Sequence, residues 1–296
     1  MQSSYLLLND IRSHYLRWGI ETSLQPALLL HGLASNARIW EAVAPLLVEA
    51  GLAPFAPDAR GHGLTDKPDG DYGMETFLLD LVAFVNSAHL EKPLLVGHSW
   101  GGIIALEYAA RFTFGARAPA GLVLVDGGFT QMDRFPGATW EEMRERLTPP
   151  KLVGMPVEEF LSRISGPSQK WQPDDPAIQA ILANFEISEQ ETISPRLSLV
   201  HHMQILRAIW EYPTQERFQR VRCPVMIVAA SPTGPFTADD EAFLEFKRRA
   251  VNDAQSQMEN LRVHWMQDTI HDIPLQRPAE LAGLIAEFTA QMVYPG

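Results

Sequence analysis

The sequence predicts an α/β protein: a mostly parallel central sheet flanked by helices, interrupted once by a helical insertion. Three observations carry this. Short apolar runs alternate with helically spaced segments through residues 1–128 and again through 219–296. The segment 129–218 breaks the alternation, with nine of the chain's 22 prolines, several helical patterns and no strong strand signal. Finally, Gly97-His98-Ser99-Trp100-Gly101 lies between an apolar run and a helical pattern, where a sharp strand-to-helix turn belongs. The expected organisation is a core of residues 1–128 and 219–296 carrying a helical cap of residues 129–218.

The elements follow in order. Residues 4–9 and 12–18 read as strands joined at Asn9-Asp10, a turn dipeptide. Residues 26–31 are continuously apolar, as in a strand buried on both faces. Ile39, Trp40, Val43, Leu46 and Leu47 give helical spacing over 37–50, with Gly51 as C-cap. A strand at 52–57 leads into a polar, glycine-rich loop from Asp58 to Pro68, then a helix over 74–90. The strand at 94–97, the serine turn and a helix over 103–111 come next, then a strand at 121–125 ending at Asp126-Gly127-Gly128. Helical stretches at 139–147, 156–164, 176–185 and 195–210 occupy the insertion, which is too long to be a loop in a compact domain. A strand at 224–229, a helix at 238–250, a strand at 261–266 and a helix at 278–291 complete the sheet pattern.

Composition narrows the partners. A net charge of −12 leaves no basic stripe to neutralise phosphates, so nucleic acid and anionic membranes are not expected partners. No apolar run approaches membrane-spanning length, and residues 1–5 lack the charged start of a signal peptide. The single cysteine, Cys223, excludes an intramolecular disulfide and cysteine-based metal clusters. These features point to the cytoplasm. No metal or cofactor is expected: the adjacent His201 and His202 face about 100° apart on a helix and make no bidentate site.

The serine turn points to nucleophilic chemistry. A hydroxyl is a weak nucleophile near neutral pH and needs a base, which needs an orienting partner. The expected chain order for a serine elbow in an α/β sheet is serine, acid, histidine. His271, in the loop between the 261–266 strand and the last helix, is therefore the expected base. Oxyanion stabilisation requires two backbone N–H donors. One belongs to Trp100, after the nucleophile. The other is expected from Gly32-Leu33, with Leu33 the choice because its amide can turn inward after the strand ends.

His31-Gly32, Asp58-x-Arg60-Gly61-x-Gly63, Gly97-His98-Ser99-Trp100-Gly101-Gly102 and the His271 loop leading to Pro278 and Glu280 run in one order over nearly the whole chain. In these elements the chain resembles the α/β-hydrolase superfamily, in particular the capped branch of bacterial esterases, haloalkane dehalogenases, epoxide hydrolases and C–C bond hydrolases. The resemblance implies an acid after the strand that follows the cap. The stretch Val228 to Pro235 holds no carboxylate, and Asp239 and Asp240 come later, where a helix begins. The other position used within the superfamily is the end of the strand before the cap, where Asp126 stands; it is the preferred acid, with Asp239 or Asp240 as the alternative.

Serine selects among these relatives. Dehalogenases and epoxide hydrolases attack with a carboxylate and form an ester that water can cleave. A serine attacking an alkyl carbon would form an ether that water could not release, so Ser99 implies acyl transfer. The resemblance also implies paired cap tyrosines for epoxide opening, and the insertion contains one, Tyr212. The expected activity is hydrolysis of a small or medium uncharged carboxylic ester, with Phe129, Met203, Leu206 and Trp210 as candidate pocket residues. The alternatives are a C–C bond hydrolase of dienoic ketone acids, for which Arg38 is the nearest basic group, a lactonase or thioesterase, and a non-catalytic ligand receptor.

Overall fold

The computed structural model describes residues 1–19, 24–165, 171–172 and 175–293. Strands β1 (Gln2–Leu8) and β2 (Ile11–Arg17) form a hairpin whose turn residues, Asn9 and Asp10, both take positive φ (48° and 63°). That is the primed turn that matches strand twist, and Asn and Asp tolerate it best after glycine. β3 (Gln25–Leu30) follows. The predicted 37–50 helix is split into a 3-10 turn, Ala37–Trp40, and α1 (Ala44–Glu49). Pro45 is the reason: it has no N–H to donate and its ring excludes a carbonyl four residues back, so the helix must restart with Pro45 in its first turn.

β4 (Leu52–Pro57), α2 (Met74–Ser87), β5 (Leu94–His98), α3 (Trp100–Arg111) and β6 (Gly121–Val125) complete the first part of the sheet. The 129–218 segment holds α4 (Trp140–Leu147), β7 (Met155–Pro156), α5 (Val157–Ile164), α6 (Ala177–Leu182), β8 (Phe185–Ile187), β9 (Thr192–Pro195), α7 (Leu199–Trp210) and α8 (Thr214–Phe218). Residues 166–170 and 173–174 of this segment lie outside the described residues. Besides its helices, this segment carries a small antiparallel sheet in the order β7-β9-β8, for which the sequence shows no strong signal. Its strands are two to four residues long, too short to display alternation in the sequence.

The chain returns to the main sheet with β10 (Val225–Ser231), α9 (Ala238–Gln257), β11 (Leu261–Gln267), α10 (Ile273–Gln276) and α11 (Pro278–Val293). The eight-stranded order is β1-β2-β4-β3-β5-β6-β10-β11, antiparallel at the first two pairings and parallel thereafter. The central strands are buried on both faces, which is why they read as apolar runs rather than alternations. Leu28, Leu95 and Leu124 face a core closed by α2, α3 and α9; Leu29, Val96 and Val125 face one closed by α1 and α11. Parallel strands all present their C-terminal ends on one side, so the loops after β3, β5, β6 and β11 converge there. No helix among the described residues is long and apolar enough to cross a membrane.

A buried carboxylate ties the end of the inserted segment to the core. Glu107 of α3, 1% exposed, accepts hydrogen bonds from Arg217 Nε of α8 (2.5 Å), Arg111 Nε (2.7 Å) and the Tyr212 hydroxyl (2.9 Å). Burial alone would raise its pKa; the hydrogen bonds from Arg217, Arg111 and Tyr212 outweigh this and lower it. Glu107→Gln would leave two arginines facing a neutral amide. It is expected to cost on the order of 2 kcal/mol, read as a lower urea midpoint; an unchanged midpoint would show that the anchor is dispensable.

Candidate active site

Ser99 occupies a backbone conformation that few non-glycine residues adopt, φ 54° and ψ −121°, between the last residue of β5 and the first of α3. Such strain persists only where the surroundings over-determine it. Here the Ser99 amide donates to Val125 O of β6 (2.9 Å), and Gly102 N donates to Ser99 O (2.9 Å). The sharp turn also presses backbone on backbone. A methyl group on Gly97 would overlap the Gly101 carbonyl, and one on Gly101 the carbonyls of Leu30 and His31. The turn therefore projects the Ser99 hydroxyl at the N-terminus of α3, where the helix dipole favours developing negative charge.

Asp126 sits immediately after β6, also at positive φ (44°), with its amide bonded to Val228 O of β10 (2.8 Å). Its carboxylate is buried. Oδ2 lies 2.8 Å from His271 Nδ1; Oδ1 accepts from Ala230 N (2.8 Å) and from Lys247 Nζ (2.5 Å). Burial opposes the charge on Asp126, but the hydrogen bond to His271 and the charge of Lys247 prevail and lower its pKa. Burial likewise opposes the imidazolium of His271; the hydrogen bond and charge of Asp126, with Asp272, outweigh it and raise the His271 pKa above the ordinary value. A carboxylate can only accept, so Nδ1 carries the ring proton of the neutral imidazole and Nε2 is free to act as a base. The His271 side chain is 52% exposed because its outer edge opens into the cavity described next.

The loop that delivers His271 is fixed at several points. Thr269 Oγ1 donates to Met266 O (2.6 Å), and Ile270 N donates to Gln276 Oε1 (2.7 Å). His98 Nε2 meets the His271 carbonyl at 2.9 Å. A carbonyl only accepts, so His98 carries its proton on Nε2; its buried Nδ1 has no partner among the described residues. The two rings lie 4.8 Å apart, and burial, then the charge of His271, lowers the His98 pKa to about 4.

A cavity of about 490 Å³ opens above these residues, with Ser99, Asp126 and His271 in its wall beside Leu33 and Trp100. Neither the Leu33 amide nor the Trp100 amide makes a backbone hydrogen bond among the described residues. The Ser99 hydroxyl has no hydrogen-bond partner among the described residues. The rest of the wall is mostly apolar and comes largely from the 129–218 segment, including Phe135, Met143, Leu206 and Trp210.

Of the residues expected in the pocket, Leu206 and Trp210 are in the wall; Phe129 and Met203 are not. Phe129 follows two glycines that turn the chain, and its ring goes into the core, 2% exposed. Met203 lies on another face of α7, where its sulfur meets the Thr148 hydroxyl at 3.8 Å; its neighbour His202 faces the cavity instead. Arg38 is paired with Glu41 (2.8 Å) and is outside the wall, whereas Arg146, in the wall, pairs with Asp239 (3.3 Å). Asp240 is committed to a capping box with Thr237 at the start of α9, so neither late aspartate meets His271.

The loop from Asp58 to Pro68 supports the site from below. Asp58 accepts from His14 Nδ1 (2.7 Å), Ala37 N (2.6 Å) and Leu64 N (2.8 Å). His31 and His62 are buried beside Trp100, with the His62 ring stacked on the indole at 5.3 Å. Burial and the charge of His31 push the His62 pKa down to about 3.

The chain belongs to the alpha/beta hydrolase family, whose model matches residues 27–284. A Bacillus subtilis AB hydrolase superfamily protein, YfhM, is 36% identical over 85 residues, covering 28% of this chain and 30% of that protein. N-formylmaleamate deformylase of Pseudomonas putida is 38% identical over 119 residues, 40% of this chain and 42% of the enzyme. The matched region thus spans less than half the length of these curated relatives. Among solved structures, E-2-(acetamidomethylene)succinate hydrolase superposes with a TM-score of 0.71 over 98% of this chain and 99% of its own, at 19% identity, a likeness of fold.

The buried histidines make a pH prediction. His62 and His98 stay neutral in the fold at pH values where unfolded histidines, with an ordinary value of 6.5, take up protons. Below that value unfolding binds protons and stability falls as pH falls. His271 has the opposite sign: its contribution is complete below 6.5 and is lost as pH rises through its raised folded value. The melting temperature is expected to drop between about pH 6.5 and 5, and His62→Gln to flatten the slope. An equal slope in both proteins would contradict this origin.

Proposed function

We propose that the protein is a serine hydrolase that cleaves uncharged carboxylic esters of small to medium size through an acyl-enzyme. The observation that carries this reading is the presence of Ser99 and the Asp126-bound His271 in the wall of one mostly apolar cavity. In the proposed cycle, His271 Nε2 takes the Ser99 proton as the hydroxyl oxygen attacks the carbonyl. The amides of Leu33 and Trp100, which have no other partner among the described residues, receive the oxyanion. His271 gives its proton to the leaving alcohol as the acyl–oxygen bond to it breaks. It then takes a proton from water as the water oxygen attacks the acyl-enzyme carbonyl, and returns that proton to Ser99 Oγ as the acyl–serine bond breaks and the free acid departs. Asp126 holds the imidazole in the tautomer that exposes Nε2 and stabilises the imidazolium.

The 129–218 segment serves as the cap over this cleft and shapes the acyl and alcohol sites. Its contribution to the wall is apolar apart from a few groups such as Thr130, Arg146 and His202, which suits neutral substrates. A dienoic ketone acid would need cations beside its carboxylates. Arg146 is already paired with Asp239, and Arg38 lies elsewhere, so the C–C bond hydrolase reading has little support. The Pseudomonas putida relative is named for removing a formyl group, itself an acyl transfer, which agrees with a carbonyl as the point of attack.

Hydrolysis of p-nitrophenyl acetate and butyrate tests the proposal. Wild type is expected to turn over both, Ser99→Ala to lose about 10⁶-fold in kcat, and Asp126→Asn roughly 10⁴-fold. Equal rates in wild type and Ser99→Ala would refute the serine mechanism. An Asp126→Asn rate within about tenfold of wild type would refute the acid, since a working acid of this kind is worth far more.

A further inference from the structure

Lys247 has no part in the cycle above, yet it is the most unusual charge in the core. It lies on the inner face of α9, within the stripe Leu244, Lys247, Ala250, Val251 and Ala254, and is 5% exposed. Its ammonium donates to Asp126 Oδ1 at 2.5 Å and to the Ala230 carbonyl at 2.7 Å. A buried ammonium is costly unless it is paired and fully hydrogen-bonded. An apolar residue would fill this helix position more cheaply if packing were its only task.

We propose that Lys247 is a positioning residue: it holds Asp126 in the orientation that His271 requires and tempers the negative charge that Asp126 presents to the imidazole. The inference rests on reading Asp126 and His271 as the working pair. The geometry divides the carboxylate between two tasks. Oδ2 serves His271, while Oδ1 is fixed by Lys247 and Ala230 N, so the carboxylate plane cannot rotate without breaking two bonds. The Lys247 contact with Ala230 O also ties the end of β10 to the end of β6, across which Asp126 reaches.

The charge argument has a definite sign. The charged and titratable groups around His271 are Asp126, Asp272, His98 and Lys247. Asp126 and Asp272 favour the imidazolium; Lys247 opposes it. With Lys247 present, the Asp126–Lys247 pair is neutral overall and attracts a proton to His271 less than a bare carboxylate would. Losing the ammonium should make His271 harder to deprotonate, so the free base forms only at higher pH. Lys247 thereby extends the working range of the base toward acid.

The test is an NMR titration of the His271 imidazole, assigned by its absence in His271→Gln, in wild type, Lys247→Met, Lys247→Gln and Lys247→Arg. Lys247→Gln retains an N–H donor and removes the charge, so it serves if the methionine variant does not fold. The His271 midpoint is expected to rise by about one pH unit in the neutral variants, and to remain at the wild-type value in Lys247→Arg. The acid limb of kcat/KM for p-nitrophenyl butyrate should move with it. An unchanged midpoint in folded Lys247→Gln would overturn the proposal and leave Lys247 a structural residue. The titration reads His271 without a substrate. Failure of ester hydrolysis would therefore count against the proposed activity, and an unshifted midpoint against Lys247 alone.

Discussion

The carboxylate of Asp126 is the point on which three parts of the chain converge. It receives His271 from the loop after β11, Lys247 from α9 and an amide from the end of β10. All three bonds form in a buried setting, where an unmatched charge would be expensive. The position of His271, the ends of β6 and β10 and the inward face of α9 are therefore coupled. Because Asp126 itself sits at positive φ directly after β6, the strand fixes where the carboxylate begins, and its partners fix where it points.

Ser99 depends on that arrangement through the backbone. Its amide is held by β6, the strand that Asp126 directly follows, so Ser99 and Asp126 are registered to each other by one pair of parallel strands. The close packing of Gly97, Gly101 and Gly127 around the turn leaves no room for side chains and so leaves Ser99 little freedom. Rigid elements placed by a sheet bring Ser99, Asp126 and His271 to one cavity, while a separate segment, attached through the Glu107 cluster, supplies most of its wall. One scaffold can in this way serve different substrates by changing the segment that covers it.

Much of this was legible in the sequence because it depends on local patterns. The apolar runs that became β3, β5, β6 and β10 needed no long-range information, and neither did Gly97 to Gly101, whose spacing implies the turn. Asp126 became the candidate acid through the resemblance, which implies an acid after one of two strands, and the absence of a carboxylate from Val228 to Pro235. What escaped were features set by packing. Pro45 broke a helix that hydrophobic spacing alone would continue. The direction of Phe129 and Met203 depends on how the inserted segment lies on the core, which no periodicity encodes. Lys247 left a usable signal: a lone cation on the apolar stripe Leu244, Ala250, Val251 and Ala254 asks for a buried partner. That partner, Asp126, lies 121 residues away in the chain, and only the fold identifies it.

The central claim is that Ser99 is a nucleophile activated by His271. Covalent labelling tests it without knowledge of the natural substrate. Wild-type protein treated with a fluorophosphonate, digested and analysed by mass spectrometry is predicted to carry one phosphonyl group, on Ser99, with labelling strongly slowed in His271→Ala. A protein that remains unlabelled, that carries the group on another residue, or that labels equally fast without His271 would contradict the account.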